Sequence, residues 1–142
     1  MLVHDLQDTA ERIRLTTFKA IADAGGGHFG GCLSVVEILT ALYFEVMRVD
    51  PANPAWEDRD RLILAKGHAG PALYTVLSEK GFFPKEWLAD LDRSGSKLPK
   101  HVDRLKLQGI DFSSGPLGQG LSAGVGMALG ARLSRKDVRV FV

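Results

Sequence analysis

From Asp5 to Ala24 apolar side chains stand at Leu6, Ile13, Phe18 and Ile21 with charged residues between them, a spacing that draws one apolar stripe along a helix. Gly25–Gly27 follow at once. Glycine takes the left-handed capping conformation cheaply, so the helix is predicted to end there. The glycine-rich stretch AGGGHFGGCL (Ala24–Leu33) then leads into SVVEILTALYFEVM, where Val35, Ile38, Leu39, Leu42, Val46 and Met47 return at helical spacing. Ser34 and Glu37 have the S-x-x-E order of a capping box at its start. This second helix is predicted to stop before DPANPAWEDRD (Asp50–Asp60), whose prolines and acids mark a surface loop.

Leu62–Ala65 is a short apolar run and reads as a buried strand. Gly67–Pro71 turns into a helix that closes at Gly81, and Pro84 falls at the first helical position of KEWLADLDR. Between Ser94 and Ser114 periodicity is lost, which predicts a long loop. Such loops inside compact domains are usually functional or disordered. Gly118–Arg132 (GQGLSAGVGMALGAR) is the last predicted helix, and VRVFV closes the chain as a β-rich run. Helices alternating with short apolar strands predict an α/β layer structure, a parallel sheet flanked by helices, in one domain over residues 1–142.

Composition narrows the function. The 142 residues are 45% hydrophobic and 25% charged, enough for one globular domain with a core. The formal net charge is +1 and no basic run is interleaved with aromatics, which argues against nucleic-acid binding. The single cysteine, Cys32, excludes an internal disulfide framework and fits a reducing compartment. The opening residues carry acids early and lack a signal-peptide core, and no uninterrupted apolar stretch reaches membrane-spanning length. The expected setting is therefore cytoplasmic, with no membrane partner.

Candidate chemistry concentrates on histidine. The chain has four, and His4, in the amino-terminal segment, reads as a solvated surface residue. The others are His28 in GHFGG, His68 in GHAGP and His101 in KLPKHVDR. Glycine beside a functional residue lets a ligand approach the backbone closely. His68 directly follows the Leu62–Ala65 strand, and the carboxyl ends of strands are where α/β sheets bind ligands. Imidazole donates and accepts hydrogen bonds near neutral pH, so several around one pocket can hold a polyhydroxylated substrate and move its protons. A histidine next to glycine is often only a loop residue. Three such sites with no spare histidine for the core shift the balance. Zinc is the rival use, but no pair has i,i+4 spacing and no carboxylate pattern accompanies them. In the last helix, Gly126 and Gly130 predict close backbone contact, with a neighbouring helix or across a subunit interface, since each interior glycine costs about 1 kcal/mol against alanine. Gly115–Gly120 form a proline-containing turn opening onto a helix, suited to packing a flat ligand ring against the backbone.

The order GHFGGCLS, DRLILAKGHAGPALY, GSKLPKHVDR and SSGPLGQGLSAGVGMALGARL resembles the amino-terminal, diphosphate-binding region of transketolase, from about residue 10 to the last residue. It is most similar to the split form, in which this half is a separate subunit. The resemblance implies a thiamine-diphosphate-binding fold and a two-carbon ketol transfer from a ketose phosphate to an aldose phosphate, with thiamine diphosphate and Mg2+ as cofactors. It implies that His28 contacts substrate hydroxyls near the reacting carbons. His68 would stand beside the cofactor diphosphate and substrate, and His101 would bond the donor's terminal hydroxyl. Gly115, Pro116 and Leu117 would pack against the cofactor rings. A C-terminal, pyrimidine-binding subunit is the implied partner, in a homodimeric or α2β2 assembly. Phe29 departs from the family pattern, where proline is common, and Cys32 stands where a small hydroxyl residue is usual. Lys100 and Val102 flank His101 where G-H-P is frequent, which bears on donor preference. VRVFV runs into G-D-G in the family, so the domain reads as incomplete, with its metal ligands expected beyond Val142. An inert truncated module and a deoxyxylulose phosphate synthase relative are the alternative readings.

Overall fold

A computed structural model describes residues 2–142. Helix α1 (Val3–Asp23) buries Thr9, Ala10, Ile13, Thr17, Ala20 and Ile21, a stripe at three- and four-residue spacing. Of the four apolar positions that announced this helix, Ile13 and Ile21 reach the core, Leu6 is half-buried and Phe18 is exposed. Alanine and threonine complete the stripe. Gly25 and Gly26 lie at φ 86° and 113°, and the Gly26 N–H donates to the Ile21 carbonyl at 2.9 Å, closing the helix as predicted.

The second half of the expected glycine loop coils into a short helix, α2 (Phe29–Leu33), and α3 (Val36–Ala41) continues into a π turn at Leu42–Val46. The capping box does not form. Ser34 closes α2, donating to the Gly31 carbonyl at 3.3 Å, and α3 is preceded by Val35. Glu37 is taken by Arg14 of α1, whose charged hydrogen bond holds the carboxyl below the usual range. Phe29–Val46, although interrupted by Glu37 and Glu45, is long and apolar enough, by length and composition alone, to cross a bilayer. The backbone divides it into three pieces, and Cys32, Val35, Val36, Leu39, Thr40 and Tyr43 are buried among other elements, so it serves as core.

The strands are β1 (Arg61–Leu62) and β2 (Val140–Phe141), paired in parallel with Arg61 opposite Val140 and Leu62 opposite Phe141. The Ile63 N–H extends the ladder by one bond to the Phe141 carbonyl at 2.8 Å. The ladder is thus shorter than the Leu62–Ala65 prediction, although residues 62–64 are all buried. Two carboxylates anchor it. Asp60, fully buried, accepts from Arg139 and Arg48; burial works against its charge, but these bonds outweigh it and hold the carboxyl far below its ordinary range. Asp111 receives both Arg59 terminal nitrogens, at 2.7 and 3.1 Å, and the Leu62 N–H at 2.9 Å.

Helix α4 (Gly70–Lys80) is buried from Gly70 through Ser78 and ends at Gly81, φ 98°, as predicted. Pro84 is the residue before a 3-10 turn (Lys85–Asp90), with ψ 137°, and not the first helical residue. Residues 91–118 form no helix or strand, yet Leu91, Leu98, Val102, Leu107 and Ile110 are buried, so this long loop is packed. Helix α5 (Gln119–Leu133) lies on the sheet through glycines other than those predicted. A Cβ at Gly120 would stand 2.6 Å from the Ala65 Cα, and one at Gly124 would stand 2.4 Å from Val142 Cγ2. Gly126 and Gly130 meet nothing within 4 Å, so neither packs closely inside the chain, and a subunit interface is the expected use that stays open to them. The fold is α/β, helices around parallel strands.

This difference has a thermal consequence. Gly120→Ala forces backbone apart and is expected to cost about 1–3 kcal/mol, whereas Gly126→Ala is expected to be neutral or to stabilise by up to about 1 kcal/mol. Circular-dichroism melts of the two variants check the order; equal midpoints would contradict the helix placement.

Candidate functional site

Three segments of different character deliver the imidazoles. His28 is the residue before α2, and its carbonyl accepts the Cys32 N–H at 3.0 Å. His68 sits in the 3-10 turn Gly67–Ala69 between β1 and α4. His101 belongs to the aperiodic 91–118 segment, its carbonyl accepting from the Tyr74 hydroxyl at 3.4 Å. The three rings meet. Centroids are 4.7 Å apart for His28 and His68, 4.6 Å for His68 and His101, and 6.0 Å for His28 and His101. His4 stays outside, exposed and beside Asp8 at 3.2 Å.

Close backbone contact holds these segments together. A Cβ at Gly67 would stand 2.3 Å from the Ser114 carbonyl oxygen, and the Ser114 hydroxyl donates to the Leu64 carbonyl at 2.7 Å. A Cβ at Gly70 would stand 2.9 Å from the Lys100 carbonyl oxygen. Thus the glycines on either side of His68 are what allow the 91–118 segment to bring in His101 and the turn after Ser114. Cys32, buried, directs its thiol to the His68 carbonyl at 3.5 Å, and burial pushes that thiol's pKa up. Phe29 packs on Phe18 of α1 with centroids 5.0 Å apart.

Electrostatics favour a neutral His101 ring. Burial lowers the His101 pKa, and His68, His28 and Lys100 push the same way against Asp92. The His68 Nδ1 is buried and has no hydrogen-bond partner among the described residues. An unmet buried polar atom costs about 1–3 kcal/mol, so this nitrogen marks where a ligand would be welcome. Gly115, Pro116 and Leu117 follow Ser114 as a turn before Gly118 (φ 86°) and α5; a Cβ at Gly115 would meet nothing within 4 Å, and Leu117 is 69% exposed. Cavities of about 380 and 280 Å³ around Trp87 and Lys97 are lined by none of the three rings. His28 instead lines a narrow cleft with Gly26, Gly27, Pro71, Asp92 and Lys100. Among the described residues no group of three or more His, Cys, Asp or Glu is placed to hold a metal ion.

Residues 6–138 match the family model for the thiamine diphosphate binding domain of transketolase. The chain belongs to the transketolase family. It is 54% identical over 129 residues to the 6-deoxy-6-sulfo-D-fructose transketolase subunit SqwG of Clostridium sp. (strain MSTE9), covering 91% of this chain and 47% of that protein. It is 41% identical over 142 residues to an apulose-4-phosphate transketolase subunit of Phocaeicola vulgatus, covering 100% of this chain and 50% of that one. The solved transketolase from Leishmania mexicana superposes with a TM-score of 0.90 at 27% identity, over 95% of this chain and 22% of that one. The chain spans about half the length of the two subunit relatives.

In this transketolase-family chain, residues that sequence alone passed over complete the site's frame. Lys66 donates to the Gly31 carbonyl at 2.8 Å and the Ser34 hydroxyl at 2.9 Å, tying the segment of His68 to that of His28. Its place two residues before His68 is the one signal it offered. Ser114 was visible only as part of SSGPLGQG.

The lowered His101 pKa gives a signed expectation. Below about pH 6.5, the ordinary imidazole value, the unfolded chain takes up a proton that the folded chain resists at residue 101. The stability contribution is whole above that pH and is lost as acid titrates the folded ring. His101→Gln is therefore expected to flatten the acid-side fall in melting temperature; an unchanged slope between pH 7 and 5 would remove the claim.

Proposed function

We propose that this chain supplies the thiamine-diphosphate-binding side of a transketolase, a transferase moving a two-carbon ketol unit from a ketose donor to an aldose acceptor. The observation that carries the reading is the convergence of His28, His68 and His101, with the buried Nδ1 of His68 unmet. That nitrogen and the open turn at Gly115 fit the cofactor: His68, Gly115, Pro116 and Leu117 would hold it. When bound, thiamine diphosphate supplies an electron sink for carbon–carbon cleavage beside a carbonyl. The chain's own part is binding and orientation. The imidazoles of His28 and His101 can donate and accept hydrogen bonds, matching sugar hydroxyls, and hold them in register with the reacting carbons. Mg2+ belongs to this proposal as the family's metal, and no cluster among the described residues is built to hold it.

Two relatives are named as subunits for 6-deoxy-6-sulfo-D-fructose and apulose 4-phosphate, so we take the substrate class to be sugars with an anionic terminal group, phosphate or sulfonate. The relatives' subunit names also support a separate C-terminal partner, in a homodimeric or α2β2 assembly. Helix α5 supports it physically. Leu121, Val125, Leu129 and Leu133, each 53–85% exposed, form an i,i+4 stripe beside the open Gly126 and Gly130, a surface suited to another polypeptide. A cytoplasmic setting completes the proposal.

The test uses the protein assembled with its C-terminal partner chain and follows ketol transfer between sugar phosphates. His101→Ala is expected to raise the donor KM and lower kcat, with kcat/KM down about a hundredfold; unchanged kinetics would take His101 out of the site. Calorimetry should show tight thiamine diphosphate binding with Mg2+ for the assembly and not for residues 1–142 alone.

A further inference from the structure

Beside the imidazoles lies a charged pair to which nothing above gives a contact with the substrate. Lys100 precedes His101, and its Nζ stands 2.9 Å from Asp92 Oδ2. Both residues line the narrow cleft shared with His28, Gly26 and Gly27. The pair is built, not incidental. The Lys100 backbone is fixed against α4, where a Cβ at Gly70 would stand 2.9 Å from its carbonyl oxygen. Asp92 is one of two non-glycine described residues with positive φ, 58°, and its N–H donates to the Leu98 carbonyl at 2.9 Å. A non-glycine residue in that region is uncommon, and here it places the carboxylate at the ammonium. Asp92 holds the ammonium as an ion pair, and the Lys100 side chain, 42% exposed, keeps N–H donors for a ligand.

We infer that Lys100, held by Asp92, is a specificity-determining residue that donates to a sugar hydroxyl in the same region of the substrate that His28 reads. This rests on the transketolase reading above and sharpens it. The chemistry differs from that of the rings. An imidazole exchanges donor and acceptor roles and tolerates either orientation of a hydroxyl; an ammonium only donates, so it demands an oxygen acceptor in one place. A site built to bond a substrate hydroxyl rejects the analogue lacking it far more strongly than an apolar pocket rejects a size change. The neighbouring carboxylate keeps the pair near neutrality, which suits a hydroxyl better than a second phosphate or sulfonate.

The experiment uses the assembled enzyme and a panel of ketose donors in which one hydroxyl at a time is replaced by hydrogen. Wild type is expected to show a penalty in kcat/KM at the hydroxyl that Lys100 reads. Lys100→Met is expected to erase that one penalty while raising the parent donor's KM about tenfold, with kcat and thiamine diphosphate affinity within about twofold of wild type. Asp92→Asn, which keeps the lysine and frees its head, should weaken the same penalty, and Lys100→Arg should retain part of it. Identical penalty patterns in wild type and Lys100→Met would overturn the inference with the transketolase reading intact. A wild-type assembly that transfers no ketol unit from any donor would overturn that reading itself.

Discussion

The absence of a side chain at Gly67 is the constraint on which the site depends. Any Cβ there would stand 2.3 Å from the Ser114 carbonyl oxygen, well inside contact distance. That contact is where the long aperiodic segment meets the turn that bears His68. The Ser114 hydroxyl bond to the Leu64 carbonyl and the Ser114 N–H bond to the Val102 carbonyl lock the same point. One backbone approach thereby joins the end of β1, the His101 loop and the entrance to α5. Gly70 repeats the device one turn later against Lys100. Glycine next to histidine is thus a packing requirement first, and the exposed imidazole edges are its result.

Charge supplies the rest of the frame. Asp60 and Asp111 are buried carboxylates, each bound by arginine and by backbone N–H groups, Arg48 and Arg139 for Asp60 and Leu62 of β1 for Asp111. Removing Arg59 from its pair with Asp111, where both side chains are buried, costs about 3–5 kcal/mol, because a charge is left poorly compensated. Asp111 matters most for the site, since it lies three residues before Ser114 and binds the Leu62 N–H of β1 directly. The segment carrying His101 is therefore pinned at its far end by an ion pair and in its middle by a glycine contact, without any regular secondary structure.

The parts of this fold readable from sequence are those set by local rules. Gly25, Gly26 and Gly81 end helices because glycine takes the left-handed conformation at little cost, and that signal is written at the position itself. The histidine loci were legible through their glycine neighbours. Ser34 and Glu37 misled because distant partners claimed them: Lys66 binds the serine hydroxyl, and Arg14 takes the glutamate. As contacts inside the chain, Gly126 and Gly130 misled for a related reason. Glycines four apart look alike in sequence, but only Gly120 and Gly124 fall on the face that meets Ala65, Ile63 and Val142. Which face turns inward is decided by where β1 ends, and no periodicity encodes that. The Lys100–Asp92 pair was invisible because its partners are eight residues apart across an irregular turn.

The ring cluster gives these contacts a chemical meaning. Three imidazoles whose centroids lie within 6.0 Å cannot all carry charge at little cost. For His101 burial and its two neighbours act together to disfavour the cation. A neutral imidazole presents one donor and one acceptor, and a sugar hydroxyl presents both as well, so the cluster complements a polyol without imposing a net charge on it. The price is the unmet Nδ1 of His68, tolerable where a bound molecule completes the hydrogen bond. A cluster brought together by backbone contacts at glycine, with one nitrogen left wanting a partner, is organised for a ligand before the ligand arrives.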